Sequence, residues 1–152
     1  MSDVYSVPCN QVSLTSGLLT TGTLIGATTI RAKISEFTVS ARGAPVDDSI
    51  RSVLQRWTTS AGTAGAAVTP IPADFDAPAS ITTAGENHSG EPTYTSNEDL
   101  WNHNVHVRAT HRYVAPPGRE IMLPAVATTG VGMQQLALTY TGDSDVGFFF
   151  EE

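Results

Sequence analysis

The chain has 152 residues, a mass of 16.0 kDa and a formal net charge of −7, and only 15% of its residues are charged. A single domain is expected from that length, burying roughly 70% of the surface its unfolded chain would expose. The eight basic residues nowhere form the cluster that a nucleic-acid partner would require, no apolar run reaches the ~18 residues of a membrane span, and the lone Cys9 leaves no intrachain disulfide and no thiolate-rich zinc site.

In chain order, helical periodicity is scarce. Thr, Val, Ile and aromatic residues recur in short runs punctuated by Gly, Pro, Asn and Asp, which predicts an all-β chain. The opening MSDVYSVPCNQ has no basic region followed by an apolar one, so no signal peptide is expected. In LLTTGTLIGATTIRAKISEFTVSARG the apolar set Ile30, Ala32, Ile34 shifts phase to Phe37, Val39, Ala41. A period-two pattern that slips by one residue predicts a β-bulge or a strand break near Ser35 and Glu36. DDSIRSVLQRWTT has cap residues for a helix at Asp47, Asp48 or Ser49, but β-branched and aromatic residues running into Thr58 and Thr59 favour a strand from Val53 to Thr59.

The polar stretch from Ser60 to Asn104 contains Pro70, Pro72, Pro78 and Pro92. Proline cannot donate to a ladder, so loops and at most short edge strands are expected there. From His103 onward alternation returns, with Val105, Val107 and Ala109 on one face and His106, Arg108 and Thr110 on the other. APPGRE predicts a turn in which Pro117 presets φ and Gly118 takes φ > 0. EIMLPAV, then MQQLALTYTG with Leu136, Leu138 and Tyr140 on one face, and finally VGFFFEE complete four successive antiparallel strands with short connections. The C-terminal third is thus expected to supply a large part of a two-sheet core. In the last strand Val146, Phe148 and Phe150 share one face and Phe149 points the other way. Full burial of a Phe is worth roughly 1.5–3 kcal/mol, so Phe149 should meet a loop or another subunit.

Chemical constellations are thin. His103, His106 and His111 lie close in sequence, but on a strand His103 and His106 face opposite ways and cannot ligate one ion without a bulge, so no metal site is expected. Asp74 with Asp76, and Asp143 with Asp145, supply two carboxylates where Ca²⁺ takes six to eight oxygens; turn formation explains them better. No nucleophile elbow, phosphate-binding loop or dinucleotide fingerprint occurs. Arg112, Arg119 and Glu120 bracket YVAPPG and are candidates for an intersubunit ion pair, although ordinary solvated charge is the simpler explanation. Trp57 and Trp101 are each a possible sugar-stacking platform or a core residue.

At ISEFTVSARGAP, QRWTTSAGTAGAAVTPIPADFDAPAS, VAPPGREIMLPA and the closing FFFEE, spread over residues 30 to 152, the chain resembles small virion proteins of tailed bacteriophages, the head decoration or cement proteins. The resemblance implies an antiparallel, jelly-roll-like β-sandwich with long loops, and a structural protein rather than an enzyme, with no catalytic residues and no cofactor. It implies the major capsid protein as partner, self-association as a homotrimer, assembly in the host cytoplasm and a place on the outer surface of the phage head, where such proteins stabilise the capsid by bridging capsomers. Residues 1–17 fall outside the resemblance and are expected to form an extended arm, with 18–152 as a single β-sandwich domain. The contact residues expected on this view, to capsid or subunit, are Val4, Tyr5, Val7, Arg112, Arg119, Glu120 and Phe149. The alternative is a carbohydrate- or receptor-binding β-sandwich module of a tail fibre, with Trp101, Tyr94 and Asp99 near a loop-borne glycan site.

Overall fold

A computed structural model describes residues 3–11, 13–14, 17–44, 46–137 and 139–152. Its strands are β1 (Val4–Gln11), β2 (Leu19–Ile25), β3 (Lys33–Arg42), β4 (Ser49–Trp57), β5 (Ala66–Val68), β6 (Ile71–Pro72), β7 (Thr83–Glu86), β8 (Tyr94–His106), β9 (His111–Val114), β10 (Ile121–Met122), β11 (Gly130–Ala137) and β12 (Asp143–Glu151), and no helix occurs among the described residues. One sheet, called A here, runs β10-β3-β12-β1-β6 with β9 also on β3; the other, B, runs β5-β7-β2-β11-β4-β8. Every pairing is antiparallel, and four of them nest: β1 with β12, β2 with β11, β3 with β9, β4 with β8. That is one long hairpin rolled up into two packed sheets, which makes the chain a jelly-roll β-sandwich.

The expected slip in β3 is present. Phe149 pairs with Glu36 and Phe150 with Ile34, so Ser35 is the extra residue of a bulge, and Ile34 and Phe37 both reach the core. The strand expected over 53–59 is present but shifted toward the N-terminus: it runs from Ser49 to Trp57, and Thr58 and Thr59 lie beyond its end. Asp48, a helix-cap candidate in sequence, instead ties two loops together: its carboxylate accepts from the Ser49, Thr139 and Tyr140 amides and from the Thr139 hydroxyl. In the PPG turn Gly118 has φ of 79° and the Arg119 amide donates to the Pro116 carbonyl at 2.8 Å.

Three expectations require correction. Residues 4–11 are no arm: β1 pairs with β12 on one side and β6 on the other, with Tyr5, Val7 and Cys9 in the core. The polar stretch does contain only the short strands β5, β6 and β7 up to Pro92, but from Tyr94 it becomes the 13-residue β8. As the edge of sheet B, β8 leaves one side and most of one face in water, so polar residues satisfy it. The four expected C-terminal strands do not follow one another in a single sheet: the one from His103 is the end of β8 in B and gives way to a turn at 107–109, β10 and β12 lie in A, and β11 lies in B.

In β11 the core face is Val131, Met133, Gln135 and Ala137, not the one holding Leu136; Leu138 lies outside the described residues. The reason is that the interior is not wholly apolar. Gln135 is fully buried, accepting from the hydroxyls of Thr21 and Ser144 and donating to Ser52 Oγ at 3.3 Å. This polar layer separates a large apolar cluster, with Phe37 of sheet A edge-on to Trp101 of sheet B at 5.2 Å, from a smaller one around Leu14, Ile50, Val107 and Tyr140. Bonded side chains of this kind fix register, because displacing them would leave buried donors and acceptors unpaired. Close approach of the sheets is set by Gly22, where a Cβ would lie 2.6 Å from that of Cys9. Burial pushes the Cys9 thiol up to about 12, which keeps it protonated and unreactive.

Candidate interaction surface

The alternation of β12 puts Phe148 and Phe150 in the core and Phe149 outside, 36% exposed. Register then gives Phe149 its neighbours. Phe149 pairs with Ser6 of β1, and Ser6 with Ile71 of β6; on the other side Phe149 pairs with Glu36 of β3, and Glu36 with Val114 of β9. Partners in register share a face, so Ile71, Ser6, Phe149, Glu36 and Val114 form one row across the outside of sheet A. Ile71 and Val114 are 55% and 53% exposed. Scattered exposed apolar side chains are ordinary, whereas an aligned set on one rigid face is informative.

Beside Phe149 the sheet surface dips. Gly147 has no side chain, and with Ser6, Pro8 and Thr38 it floors a shallow depression of about 310 Å³ whose wall is the Phe149 ring. On the same face Arg112, opposite Thr38 in register, donates twice through its guanidinium to the Glu36 carboxylate, at 2.5 and 2.6 Å. Those bonds, prevailing over burial, hold Glu36 below the usual carboxylate range. Such a fork is rigid and specific in geometry.

The expected contact residues separate on this structure. Phe149, Arg112 and Val4 lie on the outer face of sheet A, with Val4 opposite Glu151. Tyr5 and Val7 are buried, Tyr5 stacked on Phe150 at 5.5 Å, so they hold β1 in place and contact no partner in the folded chain. Arg112 is engaged within its own chain rather than across a subunit boundary, and Glu120 accepts from the Gly118 amide at 2.9 Å inside its own turn. Arg119 sits exposed in that turn. Ile71 and Val114 were missed. Neither stands out in sequence, and only the cross-strand register places them beside Phe149.

The glycan constellation is not assembled. Trp101 is 9% exposed and packed between Phe37 and the rings of His103 and His111. The Tyr94 hydroxyl is bonded to Thr20 at 2.7 Å, its ring lies edge-on to Trp57, and burial pushes its phenol up. Asp99 is engaged with Asn102. Of the three histidines, His103 and His111 stack with centroids 6.1 Å apart where the edges of the two sheets meet, while His106 lies 4.0 Å from Asp47. No group of three metal-ligating side chains occurs among the described residues. The paired aspartates shape turns and ion pairs: Asp74 accepts from the Asp76 amide, and Arg42 holds Asp143 and Asp145.

A second outward feature is Phe75, fully exposed in the turn after β6, between Asp74 and Asp76. It extends the apolar character of the β6 edge beyond Ile71. No family model matches this chain, and neither do curated proteins or solved structures.

Proposed function

We propose that the chain is a structural virion protein, a head decoration or cement protein of a tailed phage that binds the major capsid protein shell from outside and bridges capsomers. The observation that carries this reading is the row Ile71, Phe149 and Val114 on the bare face of sheet A, fixed in place by a rigid β-scaffold. An apolar row with one internally neutralised ion pair can be covered by another protein at little desolvation cost, because few charges must leave water. The low charge of the whole chain supports the same use. Self-association as a homotrimer would present three such faces about one axis, so that contacts that are weak singly become strong together through effective concentration.

Two measurements test this. Light scattering across a dilution series should return a stable mass about three times the 16.0 kDa of one chain. Co-sedimentation with undecorated heads of the phage that encodes the chain should show saturable occupancy, and Phe149→Ser should abolish it with mass and melting temperature unchanged. Full occupancy by that variant would rule out the face as the capsid contact.

A further inference from the structure

At one end of the sandwich, sharing no residue with the row just described, lies a cavity of about 270 Å³. Its lining comes from both sheets: Arg56 and Trp57 at the end of β4, Arg31 just ahead of β3, Met122 and Pro124 from β10 and its exit, and Glu98 of β8. Arg56 pairs with Val131, a core residue, so its side chain leaves from the core-facing side of sheet B and runs out at the open end between the sheets.

The donors here lack acceptors. Arg56 Nε and Trp57 Nε1 are buried with no hydrogen-bond partner, and among the described residues neither the Arg31 nor the Arg56 side chain has a hydrogen bond or ion pair. The other arginines that flank carboxylates in this chain do use them, as Arg42, Arg108 and Arg112 show. A guanidinium held half-buried without an acceptor is costly unless something outside the chain supplies one. The lining also limits what that can be. Two guanidiniums face one carboxylate, Glu98, so a single negative charge balances the cavity and a dianion meets Glu98's repulsion. The volume is below that of pockets for drug-sized ligands, and Met122, Pro124 and the indole offer an apolar wall to a short carbon skeleton.

We infer that this cavity binds a carboxylate monoanion carried on a small, partly apolar body, either an acidic side chain of another protein or a sugar acid. The planar fork of arginine matches a carboxylate in two parallel hydrogen bonds. This inference is independent of the capsid-binding proposal, since the two sites share no residue.

The test is a ¹⁵N-correlation titration of the whole chain with N-acetylglutamate α-amide, glucuronate, their neutral counterparts N-acetylglutamine amide and glucose, and inorganic phosphate. Saturable shifts of the Trp57 indole N–H and the Arg56 Nε–H with a carboxylate probe, absent with its neutral counterpart, are expected. Arg56→Gln and the exposed-site variant Arg31→Gln should each weaken binding by about tenfold, while Arg51→Gln, on the far face of β4, should not. The spectrum itself reports whether each variant is folded. Binding of the glutamate derivative alone identifies a protein partner, binding of glucuronate alone a sugar acid, and binding of both the shared carboxylate chemistry. Equal responses to charged and neutral probes, no saturable response, tighter binding of phosphate, or indifference to both arginine substitutions would overturn the inference.

Discussion

The two sheets turn outward faces of similar make-up to very different surroundings. On sheet B the chain covers itself. The connection from β4 to β8 folds back over Thr20, Thr23, Gly132 and Trp57, pinned by Glu91 accepting from the Thr20 amide and hydroxyl, by His88 Nε2 against Thr23 Oγ1 at 3.1 Å, and by Tyr94 against Thr20. On sheet A nothing in the described chain lies over Ile71, Phe149 and Val114. A jelly roll needs only its inner faces for a core. What is done with the outer ones is a separate decision of the loops, and here the loops protect one face and leave the other available.

The largest test of this contrast is the fate of β1. Were residues 1–11 an arm, their deletion would spare the domain; since β1 lies between β12 and β6 and buries Tyr5, Val7 and Cys9, deletion is expected to abolish the cooperative thermal transition. A retained transition would show that the bare face does not depend on β1. Next come two outward-pointing aromatics. Trp57→Ala, under the cover of sheet B, should cost about 3–5 kcal/mol in denaturant unfolding, and Phe149→Ala, on the open face, under about 1 kcal/mol. Similar losses at both sites would mean that Phe149 is covered in solution. Between these falls Gln135→Ala, which strips the partner from Thr21, Ser52 and Ser144 and should cost about 1–3 kcal/mol without changing either outer face.

How much of this could be read beforehand follows from what each residue's neighbours do. The bulge at Ser35, the β4 strand and the PPG turn were legible because their signals are local, resting on a phase slip, a run of β-branched residues and a proline followed by glycine. The buried aromatics of β12 were legible for the same reason, and so was the outward turn of Phe149. The core face of β11 was not, because Gln135 looks like a surface residue until Thr21, Ser52 and Ser144 arrive from other strands to bond it. Strand β8 was hidden by the polarity an edge strand tolerates. Of the outer face of sheet A, the outward turn of Phe149 could be read from alternation, Arg112 stood out by its charge and Val4 only as part of an expected arm, while Ile71 and Val114 join them only through a register that spans the whole length of the chain. Tyr5 and Val7 were misassigned because a short apolar run at a terminus reads the same whether it pairs inside a sheet or leaves it.

The smallest expected effect is a pH dependence confined to the covered side. His88 belongs to the β4–β8 connection and is buried against Thr23 of sheet B, and burial holds its imidazole below the ordinary value, outweighing the opposing influence of Glu91's charge and of the Gly90 and Gly85 backbone. With the folded value depressed, the unfolded chain takes up the proton first, so stability is full above about pH 6.5 and declines as pH falls below that toward the folded value. On the bare face the hydrogen bonds from Arg112, against the pull of burial, hold Glu36 below the usual carboxylate range, and past the end of β12 Glu152, likewise against burial, is held below it by hydrogen bonds from Thr82, Ser80 and Ile81. Amide exchange, corrected for intrinsic rates, should therefore quicken in β2 and β7 between pH 7 and pH 5 while β12 and β3 hold steady, and His88→Gln should remove the difference. Equal acceleration in both sheets would show that mild acid loosens the sandwich as a whole, and that the cover over sheet B and the open face of sheet A are not separable.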